Sequence, residues 1–316
     1  MTASALPEFA LNAATRPGAA APRDAYGTPL IDVSPLVPGA RILVKDETLY
    51  ASGSHKEPAA RAVVARALAA GHRHVVIATC GNYGRAMAMA CRDAGVECTV
   101  VLPEGWSDGG AAAQAAGAQI HLVSGAYEDA VDASRRLADS PGRVDGNVDG
   151  PYVDAVLEGH GVVVSALSEA LGEPPAVLWV PVGNGTTVIA VHRRLRDLGW
   201  DTVVNGVGSE GNNPVVTCWP GAYRELPPEA VTTTDHNQPL VNWHALQGGQ
   251  AMAAIAATGG TVLGVDDREL CEAQALLADF GARPTAAGAV ALAGLLAHAR
   301  TEGLGPGTHV VLLSGR

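Results

Sequence analysis

The sequence predicts an α/β protein with two doubly wound parallel-sheet domains. Short runs of apolar, β-forming residues alternate with alanine-rich helical segments, first from residue 75 and again from residue 161. Strands of this kind, separated by helices, are typical of parallel sheets that are covered on both faces. The chain has 316 residues, of which 47% are hydrophobic, and it is therefore long enough to bury the cores of two domains.

The first half of the chain begins with an irregular arm, residues 1–28, that is rich in Ala, Pro and Gly. Strands are expected at 28–31 and 41–45, followed by a helix from about Pro58, because proline is tolerated in the first turn of a helix. Further strands are expected at 75–78, 98–102 and 120–123, with helices at 84–94, at 111–116 and from about Tyr127. A Gly- and Asp-rich run at 141–150 ends this unit.

The second half repeats the alternation around a less regular stretch at 217–242. Strands are expected at 177–182, 203–207 and 310–313, and helices at 161–171, at 186–198, from about Gly249, from about Arg268 and at 286–299. We therefore expect a smaller domain over residues 46–150 and a larger domain formed by residues 29–45 together with 151–316.

Composition argues against several classes of partner. The formal charge is −11 and the basic residues are not clustered, whereas nucleic acid and anionic membranes select clustered Lys and Arg. Neither a signal peptide nor a run of about 20 apolar residues is present, which argues against a membrane span. Five cysteines without a CxxC pair argue against a disulfide framework or a metal site and favour the reducing cytoplasm.

The segment around Lys56, VKDETLYASGSHKEPAAR, is the first candidate functional element. Lys56 follows a turn-prone patch and precedes the helix that contains Pro58. A lysine in such a position is ordinarily a solvated surface charge. Two loops further along the chain, both suited to anions, favour a functional amine instead.

The first of these loops is TCGNYG, residues 79–84, which joins a predicted strand to a predicted helix. Helix N-termini present free N–H groups and positive partial charge, so they bind carboxylates and phosphates. The amide of Asn82 is also able to donate a hydrogen bond to a phenolic oxygen. The alternative is an ordinary turn with asparagine in the left-handed conformation.

The second loop is PVGNGTT, residues 181–187, in the same strand-to-helix context. It lacks the GxGxxG spacing of dinucleotide-binding folds and the lysine of a Walker A loop. Its N–H groups and two hydroxyls suit a single phosphate group. Each charge-assisted hydrogen bond contributes about 1.5–3 kcal/mol, so four or five of them are sufficient to bind a dianion without a lysine.

Together with RPTAAGAVALAGL and the terminal LLSGR, these motifs follow the order and approximate spacing found in fold-type II pyridoxal-phosphate (PLP) enzymes. This is the tryptophan synthase β-like superfamily, and within it the chain resembles threonine synthases over residues 27–315. The resemblance implies PLP in the cleft between the two domains. It also implies a small amino-acid substrate and a homodimer.

The resemblance assigns roles to individual residues. Lys56 corresponds to the catalytic Schiff-base lysine, Asn82 to the residue that bonds the phenolic oxygen, and Ser314 to the hydroxyl beside the pyridine nitrogen. His55 is similar to the histidine that lies near the cofactor phosphate in tryptophan synthase β chains, with a simple packing role as the alternative. The implied phosphate-binding residues are Gly183, Asn184, Gly185, Thr186 and Thr187, and the implied substrate-binding residues are Thr79, Cys80, Gly81, Asn82 and Tyr83.

The chain also departs from the threonine synthase pattern. Threonine synthases have an arginine soon after an Asn-Pro-Tyr segment and a lysine after the next strand and loop, and both contact the substrate phosphate. Here Tyr152 is followed by VDAV, and residues 104–114 contain no lysine. Arg85, His244 and Arg283 are available cations, but none follows its family pattern.

We therefore expect a PLP-dependent lyase or synthase that performs β- or γ-elimination or replacement on a small amino acid and uses O-phosphohomoserine poorly. The alternatives are a serine/threonine dehydratase-type deaminase, a racemase, a cysteine or cysteate synthase-type transferase, and a non-catalytic binding relative. The presence of Lys56 argues against the last.

Overall fold

The computed structural model describes residues 27–79, 81–105, 108–125 and 127–316. It contains two β-sheets with α-helices packed against both, as the sequence predicts. Residues 1–26 of the expected N-terminal arm lie outside the described residues. No helix in the described part of the chain combines the length and apolar content needed to cross a membrane.

The larger sheet has six strands: β1 (Leu30–Asp32), β2 (Arg41–Asp46), β7 (Val177–Pro181), β8 (Val203–Ser209), β9 (Val262–Val265) and β10 (Thr308–Leu313). Their order across the sheet is β1-β2-β10-β7-β8-β9. The edge strand β1 is antiparallel to β2, and the other pairs are parallel. Because the central strands are covered on both faces, their residues form nearly continuous apolar runs.

The smaller sheet contains four parallel strands: β3 (His74–Ala78), β4 (Glu97–Pro103), β5 (Gln119–Val123) and β6 (Arg143–Asp145). Their order is β5-β4-β3-β6. The crossovers that join them are helices, which is the connection that parallel neighbours require.

Ten α-helices are present in the described residues: α1 (Glu57–Ala69), α2 (Asn82–Ala94), α3 (Ala111–Ala115), α4 (Tyr127–Ala138), α5 (Val153–Leu171), α6 (Thr186–Asp197), α7 (Pro214–Cys218), α8 (Gly248–Ala257), α9 (Asp267–Asp279) and α10 (Val290–Thr301). Helix α9 begins with a capping box between Asp266 and Glu269, a local signal that fixes its start. Residues 219–247 contain only two short 3₁₀ turns, in agreement with the irregular stretch expected there.

Three elements differ from the sequence-based expectation. Strand β6 lies inside the Gly- and Asp-rich run at 141–150, and neither β6 nor β9 is predicted from the sequence. Helix α5 begins at Val153, whereas the sequence suggests a start at Gly161. The glycines of its GHG segment resemble the end of a loop, but they serve close helix packing.

Helix α5 connects the cores of the two sheets. Its first half places Ala155 and Val156 in the core that covers the smaller sheet. Its second half places Val163 and Leu167 in a core of the larger sheet. Between them, Gly159 lies so close to α1 that an added Cβ would be 2.3 Å from the Cα of Ala59.

We predict that Gly159→Ala destabilises the protein by about 1–3 kcal/mol or more, because the added methyl group would meet backbone atoms that cannot move independently of α1. Thermal and urea unfolding measure the loss. Gly161→Ala on the same helix is the control, since its Cβ would lie 3.3 Å from the Cβ of Arg194 and 3.5 Å from the carbonyl oxygen of Ala190, contacts that a small shift relieves. Equal stability of the two variants would contradict the tight packing of α1 on α5.

Candidate active site

A cavity of about 310 Å³ lies between the two sheets and is lined by residues from both. It brings together nearly all of the site residues named from the sequence: His55, Lys56, Thr79, Asn82, Tyr83, Gly183, Asn184, Gly185, Thr186, Thr187 and Ser314. Gly81 forms the N-cap of α2, directly before Asn82. Cys80 lies outside the described residues.

The loop that contains Lys56 is hydrogen-bonded to the end of β10. The carbonyl oxygen of Ser314 accepts hydrogen bonds from the Ser54 hydroxyl at 3.1 Å, from the His55 backbone N–H at 3.1 Å and from His55 Nδ1 at 2.7 Å. The backbone N–H of Arg316 donates in return to the carbonyl of Gly53 at 3.0 Å. These bonds hold Lys56, which immediately precedes α1, against the end of the larger sheet.

Lys56 is one of only two lysines in the chain. The other, Lys45, is fully buried on β2 and forms an ion pair of 2.7 Å with Glu47. Lys56 lines the cavity, whereas Lys45 does not. Lys56 is therefore the lysine whose position suits chemistry in the cavity.

Residues 183–187 form a glycine-rich cup between the end of β7 and the start of α6. Helix α6 has no side-chain N-cap, so the N–H groups of its first turn have no partner within the helix. The hydroxyl oxygen of Thr186 is buried and lacks a hydrogen-bond partner among the described residues. Such a set of donors suits an anion.

Glycine is required at position 185 for two reasons. Its φ is +91°, a conformation that residues with a Cβ rarely adopt. A Cβ would also lie 2.7 Å from the Cβ of Ala251 and 2.9 Å from the carbonyl oxygen of Gln247. The cup is thus packed tightly against the start of α8.

Two histidines stand beside Lys56 and the cup. Because a carbonyl oxygen only accepts hydrogen bonds, the bond to Ser314 places the proton of His55 on Nδ1. Its Nε2 then accepts from the Thr187 hydroxyl at 3.1 Å. The ring of His160 lies 5.2 Å from that of His55, centroid to centroid, and His160 Nδ1 is buried with no hydrogen-bond partner within the described part of the chain.

Both histidines are neutral at physiological pH. Burial, and secondly the charge of Lys56, lower the pKa of His55 to about 3, against the opposing hydrogen bond to Ser314. Burial, followed by His55 and Lys56, lowers the pKa of His160 well below its ordinary value. Neither histidine supplies positive charge to an anion in the cavity.

Asn82 is the first residue of α2 and approaches the end of β10. A Cβ on Gly315 would lie 2.4 Å from Asn82 Nδ2, so the absence of a side chain there makes room for the amide. Tyr83, in contrast, is buried, and its hydroxyl donates to the carbonyl of Gly146 at 3.0 Å. Burial also raises the pKa of Tyr83, consistent with a phenol that stays protonated.

The structure adds cavity residues that the sequence does not point to: Tyr127, Glu128, Asn147, His160, Asn242, Trp243 and Thr285. Asn147 joins neighbouring elements, because its Oδ1 accepts from the Ala78 N–H and its Nδ2 donates to the Ser134 hydroxyl, both at 2.9 Å. Asn147 follows β6 in a run that resembles an ordinary loop, and no sequence signal distinguishes it.

The family described as "Pyridoxal-phosphate dependent enzyme" matches residues 23–315 of this chain. The chain belongs to this family. The resemblance to fold-type II enzymes inferred from the motifs is therefore confirmed, and so is the expected dependence on PLP.

Two curated relatives and one solved structure illustrate the range of similar proteins. Threonine synthase of Mycobacterium leprae is 29% identical over 85% of this chain and 75% of its own length. A serine dehydratase-like protein of Mus musculus is 32% identical over 56% of this chain and 54% of its own length. The crystal structure of a threonine deaminase from T.th. superposes with a TM-score of 0.74 at 26% identity, covering 90% of this chain and 91% of the other.

We predict that stability falls as the pH is lowered from about 6.5 toward 3. In this window an unfolded His55, with its ordinary pKa of 6.5, binds a proton that the native residue, with a pKa of about 3, does not bind. The unfolding free energy should then fall by up to about 1.4 kcal/mol per pH unit for each such histidine. Urea unfolding at several pH values measures this slope.

The variant His55→Asn, which has an amide donor near the position of Nδ1, should give a shallower slope. His121→Asn is the control, because His121 is exposed on β5. An unchanged slope in His55→Asn would show that His55 is not held neutral by burial.

Proposed function

We propose that this family member is a PLP-dependent lyase that eliminates a leaving group from a small, unphosphorylated amino acid. The observation that carries this proposal is the placement of Lys56, the one lysine at the cavity, beside a phosphate-sized cup and among neutral histidines. Such a site combines an amine for covalent attachment and proton transfer with very little positive charge for the substrate.

We further propose which residues hold the cofactor. The backbone N–H groups of residues 183–187 bind its phosphate together with the buried Thr186 hydroxyl, which otherwise has no partner among the described residues. Asn82 would donate to the phenolic oxygen, Ser314 would hydrogen-bond to the pyridine nitrogen, and Lys56 would hold the cofactor covalently. When bound, PLP supplies an electron sink that stabilises negative charge at the substrate Cα.

The remaining chemistry belongs to the residues of the chain. The Lys56 amine acts as a general base that removes the Cα proton of the substrate. The N–H groups at the start of α2, near Thr79 and Gly81, bind the substrate carboxylate, since a helix N-terminus favours an anion. The buried hydroxyl of Tyr83 is bonded to Gly146 and contributes to the shape of the cavity.

The charge of the cavity favours unphosphorylated substrates. Among the described residues that line it, Lys56 is the only lysine or arginine, and both histidines are neutral. A second phosphate, on the substrate, would be desolvated without arginine or lysine partners, which is costly. The similarity to threonine synthases therefore does not by itself favour a phosphate ester as substrate.

Elimination followed by release of ammonia, as in a serine or threonine deaminase, receives additional support. The 32% identical serine dehydratase-like relative and the superposed threonine deaminase are the observations that favour it. The products of such a reaction are a 2-oxo acid and ammonia.

We predict that the holoenzyme releases ammonia and a 2-oxo acid from small unphosphorylated amino acids with a higher kcat/KM than it shows for O-phosphohomoserine. A panel of serine, threonine, their O-acetyl esters and O-phosphohomoserine, assayed for 2-oxo acid, ammonia and threonine, tests this. Lys56→Ala should lower kcat by at least about 10²–10⁴, the contribution of a positioned general base.

Arg66→Ala is the matched control, because this substitution removes a positive charge from the exposed face of α1, where Arg66 pairs with Glu158. The control should keep wild-type activity. The highest kcat/KM on O-phosphohomoserine, with threonine as the product, would overturn the proposed substrate class.

A further inference from the structure

Glu128 is the carboxylate of the cavity. It is the second residue of α4 and lines the cavity together with Lys56 and the segment 231–246. Within the described lining, Glu128 is the only acidic residue. Its Oε2 atom is buried and has no hydrogen-bond partner in the described residues.

Burial raises the pKa of the Glu128 carboxyl group, whereas its own backbone N–H, the Trp243 side chain and the charge of His244 act in the opposite direction. Trp243 belongs to the irregular segment of the larger unit, while α4 packs on the smaller sheet. Glu128 therefore lines the cavity on the side of the smaller sheet, and Trp243 lines it from the irregular segment that follows β8.

A role at the start of α4 does not account for the buried oxygen. An acidic residue in the first turn stabilises a helix through the N–H groups and the dipole of the helix, but this role does not require a carboxylate oxygen that is buried without a partner. The buried Oε2 has lost its hydration without a replacement, which is unfavourable. A ligand that brings a hydrogen-bond donor to this atom would remove the penalty.

The charge balance of the cavity specifies what kind of donor fits. His55 and His160 are neutral, and the substrate carboxylate and cofactor phosphate both add negative charge. An uncharged donor would pair with Oε2 but would add no positive charge beside the carboxylate. An ammonium group satisfies both the hydrogen bond and the charge.

We propose that Glu128 binds an ammonium group on the substrate side chain, so that the preferred substrate is a small diamino acid. This rests on the proposed lyase function. With 2,3-diaminopropionate, Lys56 takes the Cα proton, and the Cβ–N bond breaks with its electron pair leaving on nitrogen as ammonia. Hydrolysis of the remaining three-carbon unit consumes one water and gives pyruvate and a second ammonia, two ammonia per pyruvate.

The test compares 2,3-diaminopropionate with L-serine, in which a hydroxyl replaces the side-chain ammonium, and with O-phosphoserine. Wild-type holoenzyme, Glu128→Gln and the control Glu169→Gln are assayed for pyruvate and ammonia. Glu169 is a matched control because it is exposed on α5. For any amino acid that is turned over too slowly to assay, calorimetry gives the dissociation constant instead.

We expect the wild type to prefer the diamino acid to serine by about ten- to a hundredfold, the effect of one charge-assisted hydrogen bond, and to use O-phosphoserine least. Glu128→Gln should lose this preference with its melting temperature retained, and Glu169→Gln should keep it. Diamino-acid turnover should yield two ammonia per pyruvate and serine turnover one.

Efficient serine turnover without a preference for the diamino acid, or a preference that survives in Glu128→Gln, would overturn the role of Glu128 and leave the lyase proposal intact. Failure of the lyase proposal has a different signature, which is release of neither pyruvate nor ammonia from any substrate. In that case equal dissociation constants for the diamino acid and serine would also overturn the role of Glu128.

Discussion

The Ser314 carbonyl joins the two halves of the candidate active site. It accepts hydrogen bonds from the Ser54 hydroxyl and from two nitrogens of His55, so the end of β10 determines where Lys56 stands. Strand β10 lies beside β7 in the larger sheet, and β7 leads into the cup at residues 183–187. Parallel neighbours end at the same edge of a sheet, which places Ser314, Lys56 and the cup around one cavity.

Close backbone contacts support this arrangement. Gly159 lets α1 pack directly on α5, Gly185 lets the cup pack on α8, and Gly315 makes room for the amide of Asn82. Only 4% of the residues are aromatic, and the close packing between helices and loops occurs at small residues instead. The geometry of the site therefore depends on positions where a side chain is absent.

The sequence predicts the features that are encoded locally. Apolar runs followed by glycine-rich loops identify the strands and helix N-termini around Asn82 and Thr186, and five separated motifs point to the family. It does not predict the start of α5, because Gly159 and Gly161 are typical of a loop. Only the tertiary structure shows that Gly159 packs against α1 and Gly161 against α6. The sequence likewise gives no sign of His160 or Glu128. Their significance comes from buried atoms without partners among the described residues, His160 Nδ1 and Glu128 Oε2, which only the tertiary packing creates.

The central claim is that Lys56 carries the cofactor, and the lysine content of the chain makes it directly testable. Borohydride reduction of the purified holoprotein, followed by peptide mass spectrometry, asks which of two lysines retains a pyridoxyl group. Our account predicts the adduct on Lys56, since Lys45 is fully buried in its ion pair with Glu47. An adduct on Lys45, or reduced protein with no pyridoxyl group on Lys56, would contradict it.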